Sequence, residues 1–150
     1  GFDTFAGFAS LTREDQSSVS EEMHEGGYQG SSLDELQSAI SVYDVNRPFN
    51  HIEKMELIQG DVFSTAPKYL QDTPHSVVAM LLLDVDLYEP TRVLIETFLP
   101  RMPAGAIIVF DELNSPFFPG ETQAALDTIG LRGRALRKLP FHPWISYIRL

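Results

Sequence analysis

The sequence predicts an α/β fold with a mainly parallel sheet. Short apolar runs alternate with helical patterns along the chain, which is the order expected when helices cover a sheet. Two of the runs, residues 77–86 and 106–114, are almost wholly apolar until each ends in acidic side chains. A strand that is apolar on both faces is expected inside a parallel sheet that helices cover on both sides.

The composition indicates one globular domain without a nucleic-acid or membrane partner. The 150 residues are 43% hydrophobic and 21% charged, and 11 basic against 21 acidic residues give a net charge of −10. Such a charge disfavours polyanionic partners. The absence of cysteine excludes disulfides and thiolate metal sites. No apolar run reaches the ~18 to 20 residues of a membrane span and no signal-peptide pattern is present, so we expect a cytoplasmic protein.

The first half of the chain predicts two strand ends, two helices and a long loop. Residues 2–8 look like a strand end that turns into a loop. Residues 9–32 are rich in Ser, Glu and Gly, and we expect a mobile surface loop and candidate lid there. The capping-box spacing of Ser32 and Glu35 predicts a helix over 33–45. Its apolar stripe consists of Leu33, Leu36, Ala39, Ile40 and Tyr43. A short strand over 55–58 and a short helix over 65–71 follow.

The second half predicts the buried strands and a closing hairpin. Residues 77–83 form the first buried strand, and Pro90 starts a helix that runs to Leu99 and stops at Pro100. Residues 106–110 form the second buried strand, and a helix over 121–129 ends at Gly130. Residues 134–139 and 145–150 then predict an antiparallel hairpin.

Acidic side chains follow both buried strands. Asp84 and Asp86 come after the first, and Asp111 and Glu112 come after the second. Strands joined by a helix commonly lie side by side, so we expect Asp84 and Asp111 roughly 5 Å apart at the edge where such sheets bind ligands. A single acid of this kind usually caps a helix. The set at matching strand ends favours a Mg²⁺, Ca²⁺ or Mn²⁺ site, because clustered anions need a cation among them.

The same motifs resemble a known family. DVDLYEPT at residues 84–91, followed by LPRMPAGAIIVFDE at 99–112, is similar to the macrocin-type sugar O-methyltransferases of antibiotic biosynthesis. FDTFAGF at 2–8 and GDVF at 60–63 resemble further segments of that family. The resemblance covers residues 1–8 and about 55–129. It implies a Rossmann-like class I methyltransferase fold that uses S-adenosylmethionine and Mg²⁺.

The resemblance also implies roles for individual residues. Asp84, Asp111 and Glu112 would hold the metal, and Asp86 would be the general base. Asp3 matches the acid that binds the cofactor ribose, Asp61 matches the acid that faces the adenine, and Phe63 would pack on that ring. Glu112 departs from the family, which usually has a second aspartate at this position.

The expected activity is Mg²⁺-dependent transfer of a methyl group to a hydroxyl of a deoxysugar, either nucleotide-linked or already on a natural product, by a homo-oligomer. A catechol-like diol acceptor remains an alternative, as does a non-catalytic acidic cation-binding or oligomerisation domain. The glycine-rich first strand of the family does not appear in the sequence. We therefore expect residues 1–150 to be the C-terminal part of a single methyltransferase domain that binds the cofactor poorly by itself.

Several other residues are weaker candidates for the site. The four histidines have no metal-ligand spacing, although His24 in the predicted loop is a reserve base. Phe117 and Phe118 form either an apolar wall for the acceptor or a hydrophobic anchor for their loop.

Overall fold

The computed structural model describes residues 1–150 as four helices and six strands in an α/β arrangement. The strands are β1 Phe2–Asp3, β2 Ile58–Gln59, β3 Met80–Leu83, β4 Ile107–Phe110, β5 Leu136–Lys138 and β6 Ser146–Arg149. The helices are α1 Leu33–Asn46, α2 Val62–Asp72, α3 Tyr88–Phe98 and α4 Pro119–Thr128, with short 3₁₀ turns at Arg13–Asp15 and Leu99–Arg101. None of the helices has the length and apolar character needed to cross a membrane.

The strands form two sheets. β1 and β2 make a parallel pair, and the other strands form a sheet in the order β3-β4-β6-β5. In that sheet β3 and β4 are parallel, whereas β6 runs antiparallel to both β4 and β5. The α/β class, the pairing of the two apolar strands and the closing hairpin are as predicted. The expectation of a mainly parallel sheet is wrong, because insertion of β6 beside β4 makes the larger sheet mixed.

The core lies on one face of the larger sheet. Leu81 and Leu83 of β3 are buried there together with Ile108 and Phe110 of β4. Helices α2, α3 and α4 supply the other half of the core, with Val62, Ala66, Leu94, Ile95, Phe98 and Ala125. The alternate side chains of β3, those of Met80 and Leu82, point away from this core and are 60% and 53% exposed. The prediction that helices cover both faces is therefore wrong for these residues.

Helix α1 begins as predicted but does not pack as predicted. The Ser32 hydroxyl accepts a hydrogen bond from the Glu35 amide at 3.3 Å, and Glu35 accepts one from the Ser32 amide at 2.8 Å. This reciprocal capping satisfies amide groups that have no partner within the helix. However, no residue of α1 is buried, and Leu36 and Tyr43 of the predicted stripe are exposed. The stripe therefore contributes nothing to the core.

Two other element boundaries differ from the sequence prediction. The strand predicted over 55–58 is confined to Ile58–Gln59, the only residues that pair with β1. The helix predicted over 65–71 already begins at Val62, because the Asp61 side chain accepts a hydrogen bond from the Phe63 amide at 3.0 Å and caps it. A capping Asp followed by Val and Phe explains the earlier start.

Residues 9–32 contain turns and bends around the short turn Arg13–Asp15. A mobile surface loop was expected over the whole segment, but Asp15 at its centre is fully buried. Gly27 is also buried, and its carbonyl accepts a hydrogen bond from the Phe8 amide at 3.0 Å. The Ser17 hydroxyl also donates a hydrogen bond to the Pro116 carbonyl at 2.8 Å. The segment is thus fastened to the rest of the fold at several points, and mobility remains a prediction for the residues between them.

The sidedness of β3 gives a direct stability test. Replacement of the fully buried Leu83 by Ala should lower the free energy of unfolding by about 2–5 kcal/mol, because a core cavity is left behind. The matched control is Leu82→Ala on the exposed face, which should change it by less than about 0.5 kcal/mol. Urea denaturation measures both. Equal losses for the two variants would show that both faces of the strand are buried.

Candidate active site

The exits of β3 and β4 lie side by side. Leu83 is paired with Phe110, and the Asp111 amide donates a hydrogen bond to the Leu83 carbonyl at 3.1 Å. The residues that follow, Asp84 and Asp111, therefore leave the sheet at the same level on adjacent strands. Desolvation together with the charges of Asp111 and Asp3 raises the pKa of Asp84. The expected meeting of the two acidic exits is confirmed by this topology.

Asp86 sits in a tight and strained turn. Its φ is +61°, and the Leu87 amide donates to the Val85 carbonyl at 2.6 Å across it, which is the bonding pattern of a three-residue γ-turn. Asp86 is 8% exposed. Burial, followed by the charges of Asp84, Glu112 and Asp111, raises its pKa to about 7. Leu87 rather than Asp86 is the N-cap residue of α3, so a local capping role for Asp86 is excluded.

A buried glutamate that the sequence did not single out supports the second exit. Glu121, near the start of α4, is fully buried and accepts a hydrogen bond from the Glu112 amide at 3.0 Å. Burial raises the pKa of Glu121 to about 8, and the charges of Asp86, Asp111 and Glu112 contribute. In the sequence this residue looks like an ordinary first-turn acid, which the helix dipole favours on exposed helices. Nothing in the local sequence pattern distinguishes a buried glutamate such as Glu121 from an exposed acid in the first turn of a helix.

One cavity of about 370 Å³ contains both sets of predicted site residues. The exits contribute Asp84, Asp86, Asp111 and Glu112 to its wall. Asp3 from β1 and Asp61 and Phe63 from the start of α2 line it as well. The structure thus brings all seven candidates together, although their individual roles remain predictions.

The candidate cofactor residues are placed by local turns. The Asp3 carboxylate accepts a hydrogen bond from the Phe5 amide at 2.6 Å, and the Asp61 carboxylate accepts the one that caps α2. Each bond uses one carboxylate oxygen. The Phe63 ring is 43% exposed at the cavity, which is open enough for a planar group to stack on it.

An aromatic group closes another side of the cavity. Tyr28 and Phe8 both line it, and their rings stack with centroids 6.0 Å apart. Phe118 is buried and meets the Tyr28 ring edge-on at 5.3 Å. Phe118 therefore anchors the 9–32 segment, which favours the second interpretation of the Phe117-Phe118 pair. Tyr28 was missed because its φ of +56° and its distant partners leave no local pattern.

The remaining candidates lie outside the cavity. His24 is exposed and its ring contacts the Glu25 carbonyl at 3.0 Å. Phe117 packs edge-on against Trp144 at 5.7 Å. Neither residue belongs to the lining set, so His24 has no direct access to the acidic exits in this conformation.

The acidic cluster fits a divalent cation in charge and donor type. Burial raises the pKa of Glu112, and its Oε2 atom is buried without a hydrogen-bond partner. All the donors are carboxylate oxygens, which hard cations prefer. No group of three or more His, Asp or Glu side chains is already arranged to hold a metal ion. Binding would therefore require the carboxylates to turn toward a common centre.

The fold and the cavity define an α/β domain with a cavity of ligand size at its strand exits, the edge at which such sheets usually bind ligands. Solved O-methyltransferase structures share this fold. A crystal structure of CalS11, a calicheamicin methyltransferase, matches 99% of this chain with a TM-score of 0.90 and 35% identity. The apo structure of CalS11, a TDP-rhamnose 3'-O-methyltransferase, matches with a TM-score of 0.78 and 33% identity. The O-methyltransferase NovP shares the fold at a TM-score of 0.69 and 19% identity.

The matches extend over only part of the neighbouring proteins. The chain spans 58% of the first CalS11 structure, 56% of the second and 57% of NovP. No protein-family model matches the sequence, and no curated protein matches it. The chain thus has the fold of the corresponding part of an O-methyltransferase, and the macrocin-type assignment remains a prediction.

The buried Glu121 predicts a pH-dependent stability. The unfolded chain releases this proton near the ordinary value of 4.5 and the folded chain near 8, so the unfolded state binds fewer protons between those values. Stability must then fall as pH rises through this window, by at most about 1.4 kcal/mol per pH unit for one group. Glu121→Gln keeps an oxygen for the Glu112 amide but cannot ionise. It should therefore reduce the slope.

Denaturant unfolding in a metal-chelating buffer at pH 5, 6, 7 and 8 measures this slope. The control is Glu53→Gln, at an exposed position, which should leave the slope unchanged. Some slope should persist in Glu121→Gln, because the raised pKa of Asp86 acts in the same direction. Identical slopes for wild type and Glu121→Gln would contradict the assignment.

Proposed function

We propose that this chain is part of an S-adenosylmethionine-dependent sugar O-methyltransferase that uses Mg²⁺ to methylate a hydroxyl of a deoxysugar. The observation that carries the proposal is the delivery of acids from two adjacent strand exits into one cavity. The fold match to CalS11, at 35% identity, supports the same class of activity.

Three acids on the two exits are the proposed metal ligands: Asp84, Asp111 and Glu112. Burial, and after it the charges of neighbouring acids, raises the pKa values of Asp84 and Glu112, and a divalent cation would oppose that effect. Bound Mg²⁺ would supply Lewis acidity to the acceptor hydroxyl. The Oε2 atom of Glu112 is buried without a hydrogen-bond partner and is available for this role. Its longer side chain would compensate for the absence of the usual second aspartate.

Asp86 is the proposed general base. It lines the cavity two residues after Asp84, and none of its carboxylate oxygens is used to cap α3. The acceptor hydroxyl would pass its proton to this carboxylate as its oxygen forms a bond to the methyl carbon and the carbon–sulfur bond of the cofactor breaks. A positioned carboxylate that accepts a proton in this way contributes about 10²- to 10⁴-fold to a rate.

Other residues of the same cavity wall form the proposed cofactor site. Asp3 is the last residue of β1 and would accept hydrogen bonds from the ribose hydroxyls. Asp61 and Phe63 stand at the start of α2, where they would contact the adenine edge and face. Their position in the same cavity as the acidic exits supports a direct line from cofactor to acceptor, because methyl transfer depends chiefly on alignment of the reacting groups.

The acceptor is proposed from the resemblance and from CalS11, which acts on TDP-rhamnose. A deoxysugar linked to a nucleotide or to a natural product presents adjacent hydroxyls and an apolar ring face. The stacked rings of Phe8 and Tyr28 would pack on such a face, while the carboxylates face the hydroxyls.

Substitution of the acids tests the proposal. In the intact enzyme, Asp84→Asn and Asp111→Asn should lower Mg²⁺-dependent methyl transfer by more than the 10- to 100-fold that is typical of outer-shell partners, because each removes a direct ligand. Asp86→Asn should lower kcat by about 10²- to 10⁴-fold while Mg²⁺ binding stays largely intact. Transfer from labelled S-adenosylmethionine to TDP-rhamnose and calorimetric titration with Mg²⁺ measure the two effects.

The control is Asp72→Asn, at an exposed surface acid that pairs with Lys68, and it should retain full activity. A catechol acceptor tested in parallel with the sugar distinguishes the catechol-like diol alternative from the deoxysugar acceptor. Wild-type rates from both Asp84→Asn and Asp111→Asn would refute the metal assignment. Transfer to the catechol with none to the sugar would refute the acceptor class.

A further inference from the structure

We propose that Asp15 is a positioning residue that holds the backbone of Asp86 in its productive conformation. This inference rests on the proposed role of Asp86 as proton acceptor. Asp15 lies 73 positions before Tyr88 in the sequence, yet its Oδ1 atom accepts a hydrogen bond from the Tyr88 amide at 2.6 Å. Asp15 is fully buried. Its carboxylate reaches no part of the cavity wall, so it acts through the backbone and not on substrate.

The first turn of α3 needs such a partner from elsewhere. The opening amides of a helix have no carbonyl to bond within the helix, and a side chain usually caps them. Leu87 stands at the N-cap position, is 2% exposed and carries no polar atom on its side chain. The Asp15 carboxylate replaces the missing cap. A charge-assisted bond of this length at a helix start is among the stronger hydrogen bonds in proteins.

The Asp15 carboxylate is also held by hydrogen bonds from Thr12. Its Oδ2 atom accepts hydrogen bonds from the Thr12 amide at 2.7 Å and from the Thr12 hydroxyl at 2.9 Å. The carboxylate therefore has three donors on two oxygens. It links Thr12 to the start of α3, and turning away from Tyr88 would leave part-buried donors without their partner.

Gly120 of α4 lies directly against the Asp15–Tyr88 hydrogen bond. A Cβ atom at that position would overlap Asp15 Oδ1 and would lie 2.6 Å from the Tyr88 nitrogen. Only glycine allows so close an approach, and the approach keeps water from the Asp15–Tyr88 hydrogen bond. The next residue, Glu121, holds the Glu112 amide. The start of α4 therefore supports both acidic exits at once.

The Asp15–Tyr88 hydrogen bond affects Asp86 through the strained backbone turn at Asp86. A non-glycine residue in a γ-turn with positive φ costs about 1–3 kcal/mol and persists only where its surroundings determine it. On the C-terminal side of the turn, Leu87 and Tyr88 are the two residues that must stay in place. The Tyr88 amide is held by Asp15, and without that bond the turn is free to relax and carry the Asp86 carboxylate away from the cavity.

The test combines kinetics of the intact enzyme with a double-mutant cycle. Asp15→Ala should lower kcat by about 100-fold, because a shift of about 1 Å in a reacting group has that effect. The KM values for S-adenosylmethionine and TDP-rhamnose should stay within about threefold, as Asp15 contacts neither. Asp15→Asn keeps an oxygen for the Tyr88 amide and should lose only about fivefold. The control Asp44→Ala removes a hydrogen bond that Asp44 accepts from the side chain of Arg47, the C-cap residue of α1, and should leave kcat unchanged.

The Asp86→Asn background separates positioning from a general loss of structure. If Asp15 acts through Asp86, Asp15→Ala should cause no further loss there, since coupled residues are non-additive. If Asp15→Ala does not fold, the same cycle with Asp15→Asn gives the answer, with a fivefold effect that disappears in Asp86→Asn.

The outcomes distinguish the two proposals. A slow Asp86→Asn together with a full additional loss from the Asp15 substitution would overturn the positioning role and leave the proposed function intact. A fully active Asp86→Asn would instead overturn the base assignment and the inference that depends on it.

Discussion

The parallel pairing of β3 with β4 is the constraint on which the candidate site depends. The register sets Leu83 opposite Phe110, so the chains leave the sheet together and place Asp84 beside Asp111. Because strand side chains alternate, a slip of one residue would turn Leu81 and Leu83 out of the core. Burial of these leucines against α3 therefore fixes the position of the acids. Packing on one face of the sheet and chemistry at its edge are controlled by the same register.

The cluster of acids works against the stability of the fold that holds it. Burial and mutual repulsion raise the pKa values of Asp84, Asp86, Glu112 and Glu121. A protein selected for stability alone would exchange such groups for apolar ones. Their retention, with buried carboxylate oxygens on Glu112 and Glu121 that have no partner, is expected where a ligand supplies the missing interactions.

The sequence was sufficient for the features that depend on local pattern. Apolar runs ending in Asp84 and Asp111 predicted the two central strands and their shared edge, and the Ser32–Glu35 spacing predicted the start of α1. The exposed face of β3 was not predictable, because an all-apolar strand does not show which face is covered. Burial of Asp15 and Glu121 was equally hidden, since each depends on contacts with distant segments that no local spacing records.

The start of α3 is capped by Asp15, which is distant in the sequence, and this arrangement has a consequence for Asp86. An aspartate just before a helix normally caps it, and Asp86 stands in that neighbourhood. A capping carboxylate is committed to backbone amides and has less freedom to accept a proton from a ligand. Here Asp15 supplies the charge to the Tyr88 amide, and Glu89 is paired with Arg92 at 2.6 Å. Transfer of the capping role to a residue outside the cavity leaves Asp86 to face the cavity, at the cost of a strained backbone that the remote contact then holds in place.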